Sequence, residues 1–393
     1  MLDFDRIVDR RSTLSCKWAV GEDELPMWIA DMDFECPEAM KRAVTSVAEH
    51  GVYGYTDLPD SFFRSIAGFY SRRHGVKINT SDMVYSNGAI AALSSMVRRL
   101  SSEGDNVVVQ MPVYNIFFNS IVNNNRIILS SDLVCENGEY RIDFSDLEEK
   151  LSREKTSLMI VCNPHNPVGK IWSRDELARI AELCHKHGVT VISDEVHAEF
   201  VKPGCHYTPF FAVSELAADI SATIVSGSKT FNIAGLQSAC VVAKNERIRR
   251  IVHRGVNTDE VGEPNVFSVA ANVVGFTECD EWIDALAEYV FENRRIAYEY
   301  INGKIKGIRA ISAEATYLMW IDVSEVCSDS VEFCKRLREL TGLYLSAGAS
   351  YGECGRGFVR MNLATQRERV LDGLCRLARG VELIGEEAAD KHL

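Results

Sequence analysis

No apolar run in the 393 residues approaches the ~18 positions that a membrane-crossing helix needs, so none is expected. Positive charge is in short supply. Lys and Arg total 43 against 56 Asp and Glu, leaving a net charge of -13 at pH 7. That deficit argues against a nucleic-acid or anionic-membrane partner, since both need a basic footprint. None of the twelve cysteines forms a Cys-x-x-Cys pair, and they are scattered from Cys16 to Cys375. Cys162 and Cys240 lie inside apolar runs and read as small buried hydrophobes. The start, Met1-Leu-Asp-Phe-Asp-Arg6, lacks the pattern of a signal peptide. There is no internal repeat. These absences predict a reduced, cytoplasmic protein.

What is present is an ordinary globular composition, 46% hydrophobic and 25% charged, in a chain long enough for a large core. Residues 1–35 read as an irregular arm carrying Trp18 and the run Leu25-Pro-Met-Trp-Ile-Ala-Asp-Met-Asp-Phe34. An arm this apolar must be covered. Helices follow at about 37–50 and 59–74, separated by Gly51-Val-Tyr-Gly-Tyr-Thr56. A helix over 87–100 opens an alternation of helices with strands near 106–110, 126–129, 157–162, 189–193, 222–225 and 238–243. Ser173-Arg-Asp-Glu176 reads as a capping box, with Leu177, Ile180, Ala181 and Cys184 on one face of the helix it opens. Apolar, β-branched strands between helices predict an α/β fold: a mostly parallel seven-stranded sheet covered on both faces. Beyond 245 the pattern turns helical and then α+β, with a long helix near 281–301. Expected units are an arm and first helix (1–48) packing with the small domain or a dimer mate, a large domain (49–282) that holds the strand ends, and a small C-terminal domain (283–393).

In such sheets ligands bind beyond the carboxyl ends of the strands. Several of those ends carry chemistry. Lys229 follows strand 222–225 within Ser226-Gly-Ser-Lys229, and a lysine there suits a Schiff base with a carbonyl cofactor. Asp194 ends strand 189–193 and needs a cationic partner, with His197 three residues on. Asn163-Pro-His-Asn-Pro-Val-Gly169 makes a fixed loop containing Asn166. Gly88 and Ala89 open a helix whose free N–H groups suit a phosphate. Tyr114 could stack on a planar ring or belong to the core. Arg360, flanked by apolar residues, suits bidentate capture of a carboxylate or an internal ion pair. Each feature alone has an ordinary explanation. Together they suit pyridoxal 5′-phosphate, whose ring nitrogen, phenolic oxygen, phosphate and aldehyde each need such a partner.

The motifs Asn166-Pro-Val-Gly169, Asp194-x-x-His197, Ser226-x-Ser-Lys229 and Arg360 stand in the order and spacing of the fold type I pyridoxal-phosphate enzymes. Nearly the whole chain resembles that aminotransferase class I/II superfamily. Within it, Leu25–Phe34, Tyr53-Gly-Tyr-Thr56, Ile192–His197, Ser228–Leu236 and Ala315-Thr-Tyr-Leu318 resemble the MalY/PatB-type cystathionine β-lyases. The resemblance implies that Lys229 holds the cofactor and later moves the Cα proton, and that Asp194 keeps the ring nitrogen protonated. It implies that Tyr114 stacks on the ring, that Asn166 bonds the phenolic oxygen, and that His197 points toward the same oxygen. Gly88, Ala89, Ser226 and Ser228 would hold the phosphate. Tyr55 would reach the phosphate at the site of a second subunit, so a homodimer is implied. Arg360 and Asn166 would bind the substrate carboxylate, with Ala30 lining that end. The implied reaction is carbon–sulfur β-elimination from an amino acid. The alternatives are an aminotransferase and a partner-binding regulator.

Overall fold

The computed structural model describes residues 2–390. Its centre is one seven-stranded sheet. The strands in chain order are β1 (Met83–Ser86), β2 (Asn106–Val109), β3 (Ile127–Ser130), β4 (Thr156–Cys162), β5 (Thr190–Asp194), β6 (Ser221–Val225) and β7 (Ala239–Val242). They lie in the order β1-β7-β6-β5-β4-β2-β3. β3, β2, β4, β5 and β6 pair in parallel, while β7 runs antiparallel to both β6 and β1. The expected mostly parallel sheet is therefore present.

Side-chain alternation explains why both faces are covered. Leu158, Ile160 and Cys162 pack with Leu93 and Met96 of helix Ala89–Leu100 and with Val252 of helix Glu246–Thr258. Met159 and Val161, between them, pack with Leu177 and Ile180 of helix Arg174–Lys186. A period of two sends neighbouring residues to opposite faces, so a strand buried on both sides must be apolar throughout. The capping box at Ser173 and Glu176 is formed.

A second sheet follows, with β8 (Arg309–Ala310), β9 (Leu318–Asp322), β10 (Ser346–Ala347) and β11 (Phe358–Asn362) in the order β8-β9-β11-β10. Helices Asp280–Lys304, Ser330–Thr341 and Arg367–Asp390 pack on it through Ile301, Phe333, Leu337 and Leu374. The N-terminal arm lies along this sheet. Leu25–Pro26 pairs in parallel with Leu343–Tyr344. Asn362 fastens the arm further, its amide donating to the carbonyls of Ile29 and Asp31 at 2.7 Å each. Asp33 gathers Lys17, Arg10 and the Trp18 indole N–H at 2.8–2.9 Å. The apolar arm is thus covered within the chain itself.

β1 and a β-hairpin are among the elements that the sequence reading did not locate. β1 is only four residues long and owes its strand geometry to pairing with β7. Val134–Glu136 and Glu139–Arg141 form a hairpin across Asn137-Gly138, whose φ values of 54° and 85° are the left-handed pair a tight hairpin turn requires.

Candidate active site

The register of the sheet brings the predicted groups to one rim. Cys162 pairs with Asp194, Asp194 with Ile224, Val225 with Cys240, and Ala239 with Ser86. The segments that continue past these residues therefore emerge side by side: Asn163–Gly169, Glu195–His197, Ser226–Lys229 and Asn87–Ala89.

Lys229 sits in a short helix, Gly227–Thr230, not in an open loop. Ser226 caps it, accepting from Ser228 N at 3.1 Å, and its hydroxyl donates to Ser238 O at 2.7 Å. Gly227 is required by space: a Cβ there would meet Asn272 Oδ1 at 2.7 Å and the Phe231 ring at 2.8 Å. Lys229 Nζ donates to Ala30 O at 2.5 Å, across 199 residues of sequence. Burial pushes this amine down to about 8; Arg360 acts the same way, while Asp31 and Asp194 oppose it.

Asp194 is buried, and its one side-chain hydrogen bond among the described residues comes from Val196 N at 3.3 Å. Burial raises it to about 6, against that bond and the charge of Lys229. His197 is also buried, with Nδ1 unpartnered among the described residues. Burial lowers it to about 3, assisted by Lys229 and Arg360, so its ring is neutral. Arg360 is 4% exposed. It donates to Trp28 O at 2.9 Å and to Asn166 Oδ1 at 3.2 Å, lies 4.9 Å over the Tyr351 ring, and its Nε has no partner among the described residues.

A cavity of about 730 Å³ joins Lys229 to Arg360. Ala30, Tyr114, Lys229 and Arg360 line it, with Trp28, Ile116 and Tyr344 farther out. Burial pushes the Tyr114 phenol up to about 12, with Asp194 adding to the rise. Asn166 meets this lining through Arg360, and Asp194 and His197 are buried and not part of it. Gly88 has φ 138°, a region suited to glycine, and open space where a Cβ would be. It leads into Ala89–Leu100, a helix with no side-chain cap and so with free N–H groups at its start. Ser228 is half-buried beside Lys229. Tyr55 is apart from all of these, fully exposed in the loop after helix Glu38–His50.

Three further residues enter the site that sequence reasoning had not given a role. Tyr317 is buried, donates to Ala30 O at 3.1 Å and packs edge-on against His197 at 5.6 Å. Asn232 clamps the arm to the lysine segment, through Met32 N at 2.9 Å and the carbonyls of Met32 and Phe34 at 3.0 and 2.8 Å. Asp31 faces Lys229 electrostatically. The available signal was an acid inside the apolar run Trp28–Phe34.

A lysine and a buried carboxylate at the strand ends of such a sheet, with an arginine reaching in from β11 of the second sheet, define a class of cofactor-dependent enzyme. The chain belongs to the aminotransferase class I and II family, whose model matches residues 25–377. It is 38% identical over 382 residues to cystathionine beta-lyase PatB of Bacillus subtilis (strain 168), covering 96% of this chain and 99% of that protein. It is 31% identical to protein MalY of Escherichia coli (strain K12), covering 98% and 100%. Among solved structures, cystalysin from Treponema denticola, which contains a pyridoxal 5′-phosphate cofactor, superposes with a TM-score of 0.93 at 29% identity, covering 97% and 99%. The pyridoxal-phosphate-bound C-S lyase from Staphylococcus hominis gives 0.91 at 28%, covering 97% and 98%.

Proposed function

We propose that the chain is a pyridoxal-phosphate-dependent carbon–sulfur β-lyase, cleaving L-cystathionine or another cysteine S-conjugate to a thiol, pyruvate and ammonia. The observation that carries this reading is the Lys229 amine in one cavity with Arg360, with Asp194 buried behind it. The residues fit the cofactor. A buried carboxylate with no cation hydrogen-bonded to it among the described residues suits a protonated ring nitrogen, and the uncapped helix start at Gly88 and Ala89 suits a phosphate, as do Ser226 and Ser228. Asn166 and neutral His197 would serve the phenolic oxygen, and Tyr114 would wall the ring.

When bound, the cofactor supplies an electron sink for the pair left behind as the Cα–H bond breaks. The chain does the rest. Arg360, with Asn166 beside it, takes the α-carboxylate and orients the Cα–H bond toward Lys229. Lys229 Nζ takes that proton. An amine near 8 is matched to proton transfer at neutral pH in both directions. The β-thiolate then leaves.

The test is pyruvate release from L-cystathionine; no pyruvate from any cysteine conjugate, in an enzyme with normal cofactor absorbance, would sink the lyase reading. Membership of the family supports a second reading, transamination of an amino acid with a 2-oxo acid. Pyridoxamine phosphate formed from an amino acid without a β-leaving group would favour it.

We further propose a homodimer in which Tyr55 completes the phosphate site of the second copy. Val52, Tyr53 and Tyr55 are exposed together in one loop, an apolar surface that a partner would cover. The division at 48/49 and 282/283 belongs to this reading. So does a cytoplasmic location, which suits twelve unpaired cysteines; no described helix is long and apolar enough to cross a membrane.

A further inference from the structure

The Lys229 amine rests on a carbonyl oxygen, not on a carboxylate. That oxygen, of Ala30, accepts Lys229 Nζ at 2.5 Å and Tyr317 Oη at 3.1 Å. The next residue along the arm is Asp31, and its two carboxylate oxygens are unequal. Oδ2 accepts from Arg10 Nη2 at 2.6 Å. Oδ1 is enclosed and has no partner among the described residues. An enclosed carboxylate oxygen without a donor is costly unless a nearby cation compensates it.

Asp31 is not free to turn away. Its carbonyl accepts Asn362 Nδ2 at 2.7 Å and Lys17 Nζ at 3.3 Å. The following N–H, of Met32, donates to Asn232. Arg10 is itself fixed by Asp33 Oδ1 at 2.8 Å and Met32 O at 2.9 Å. Three separate elements therefore hold the carboxylate in place.

The charged groups around the pair can be named element by element. Lys229 faces Asp31 from the arm, Arg360 from β11 and Asp194 from β5. Asp31 faces Arg10 and Lys17 from the arm, Lys229, and the Tyr317 phenol, which it helps to keep protonated after burial. Asp33, two residues on, is saturated by Lys17, Arg10 and Trp18 and contributes no free oxygen.

We propose that Asp31 is a positioning residue for Lys229: its unpaired oxygen holds the amine at Ala30 O as an ammonium whenever the lysine is not joined to the cofactor. In the reaction above, the proton taken from Cα is thereby kept on Nζ beside the arm. The idea rests on Lys229 being the cofactor lysine, but its test uses the cofactor-free chain. Failure there leaves the lyase reading standing, and absence of pyruvate leaves this coupling standing.

The experiment is competitive labelling of the cofactor-free, full-length chain with acetic anhydride across pH, with Lys229 modification read by peptide mass spectrometry. In Asp31→Asn the side chain keeps its shape and loses its charge. The Lys229 midpoint falls below that of the unaltered chain, and labelling at pH 7 rises about threefold, the effect of moving the midpoint by half a pH unit. In Arg10→Gln the carboxylate loses its neutralising partner and the midpoint rises. A purely structural role predicts otherwise. Loosening the arm would hydrate an amine whose midpoint burial depresses, so both variants would move upward together. A midpoint in Asp31→Asn at or above the original overturns the proposal, as does a fall in both variants. If Arg10→Gln does not fold, the near-isosteric Asp31→Asn decides alone.

Discussion

Replacing Arg360 by Met should cost the enzyme about 100-fold in kcat/KM. The guanidinium is almost wholly enclosed, and protein groups occupy only part of its donor set, at Trp28 O and Asn166 Oδ1, while Nε has none. A substrate carboxylate docking there gains charge-assisted hydrogen bonds of about 1.5–3 kcal/mol each. Two such bonds, less the cost of withdrawing the carboxylate from water, leave about 3 kcal/mol, which is about 100-fold. Because the carboxylate is held before and during the chemical step, most of the loss should appear in KM. Arg360→Lys keeps the charge but not the planar fork and should recover only part of it. The assay is pyruvate formation from L-cystathionine, coupled to NADH oxidation by lactate dehydrogenase. Cofactor absorbance serves as the control, since Arg360 is assigned to substrate. A kcat/KM within threefold of the unaltered enzyme would refute the clamp, as would a loss of cofactor absorbance equal to the loss of activity.

Lys229→Ala should remove the visible absorbance of the loaded enzyme and reduce turnover by at least about 10³-fold, as loss of a covalent catalytic group does; a retained band near the native one refutes the assignment. Gly88→Ala would force a residue with a Cβ into φ 138°, costing about 1–3 kcal/mol, and should weaken cofactor binding measured by equilibrium titration while leaving Arg360-dependent substrate selectivity alone. Glu195 is buried among Tyr207, Ser193 Oγ at 2.7 Å and Phe210 N at 2.8 Å, and burial raises it to about 7. The folded chain therefore binds this proton more tightly than the unfolded one, and stability is lost as pH rises from about 4.5 to 7. Glu195→Gln should flatten the fall in Tm over that window, and an unchanged slope counts against it. Tyr55→Ala should weaken cofactor retention in a dimer defined by sedimentation; a monomer that binds the cofactor as tightly as the native protein removes the shared site.

Much of the fold could be read from the chain because its signals are local. The Ser173 capping box, the β-branched runs of β4 to β6 and the residues just past each strand end are legible within a few positions. Asp194 and Arg360 were found as charged groups in apolar strands, and Lys229 and Asn166 as polar groups in the segments that follow strand ends. β1 was not legible, since four residues become a strand only beside β7. The roles of Tyr317 and Asn232 were hidden for a similar reason, as both act on arm residues about 200 or more positions away. Asp31 was visible as an acid among apolar residues, but its unequal oxygens depend on where Arg10 reaches. Tyr55 stands exposed, and a single chain offers it nothing to touch.

The docking of the arm on the last strand also bears on how the protein is made. Trp28 and Ile29 are translated early, yet the side chains that fasten them, Arg360 and Asn362, lie 332 and 333 residues later. At about 5–20 residues per second, that interval is roughly 15–70 seconds on the ribosome. Lys229 and Asn232 reach Leu25–Phe34 about 200 residues on, whereas its strand partner Leu343–Tyr344 and then Arg360 and Asn362 come last. The site is thus completed only once β11 has been made, and a nascent chain stalled before Phe358 should bind pyridoxal phosphate poorly. Cofactor capture would then mark the arrival of β11, and the waiting arm is the segment a chaperone should hold on the unfinished protein.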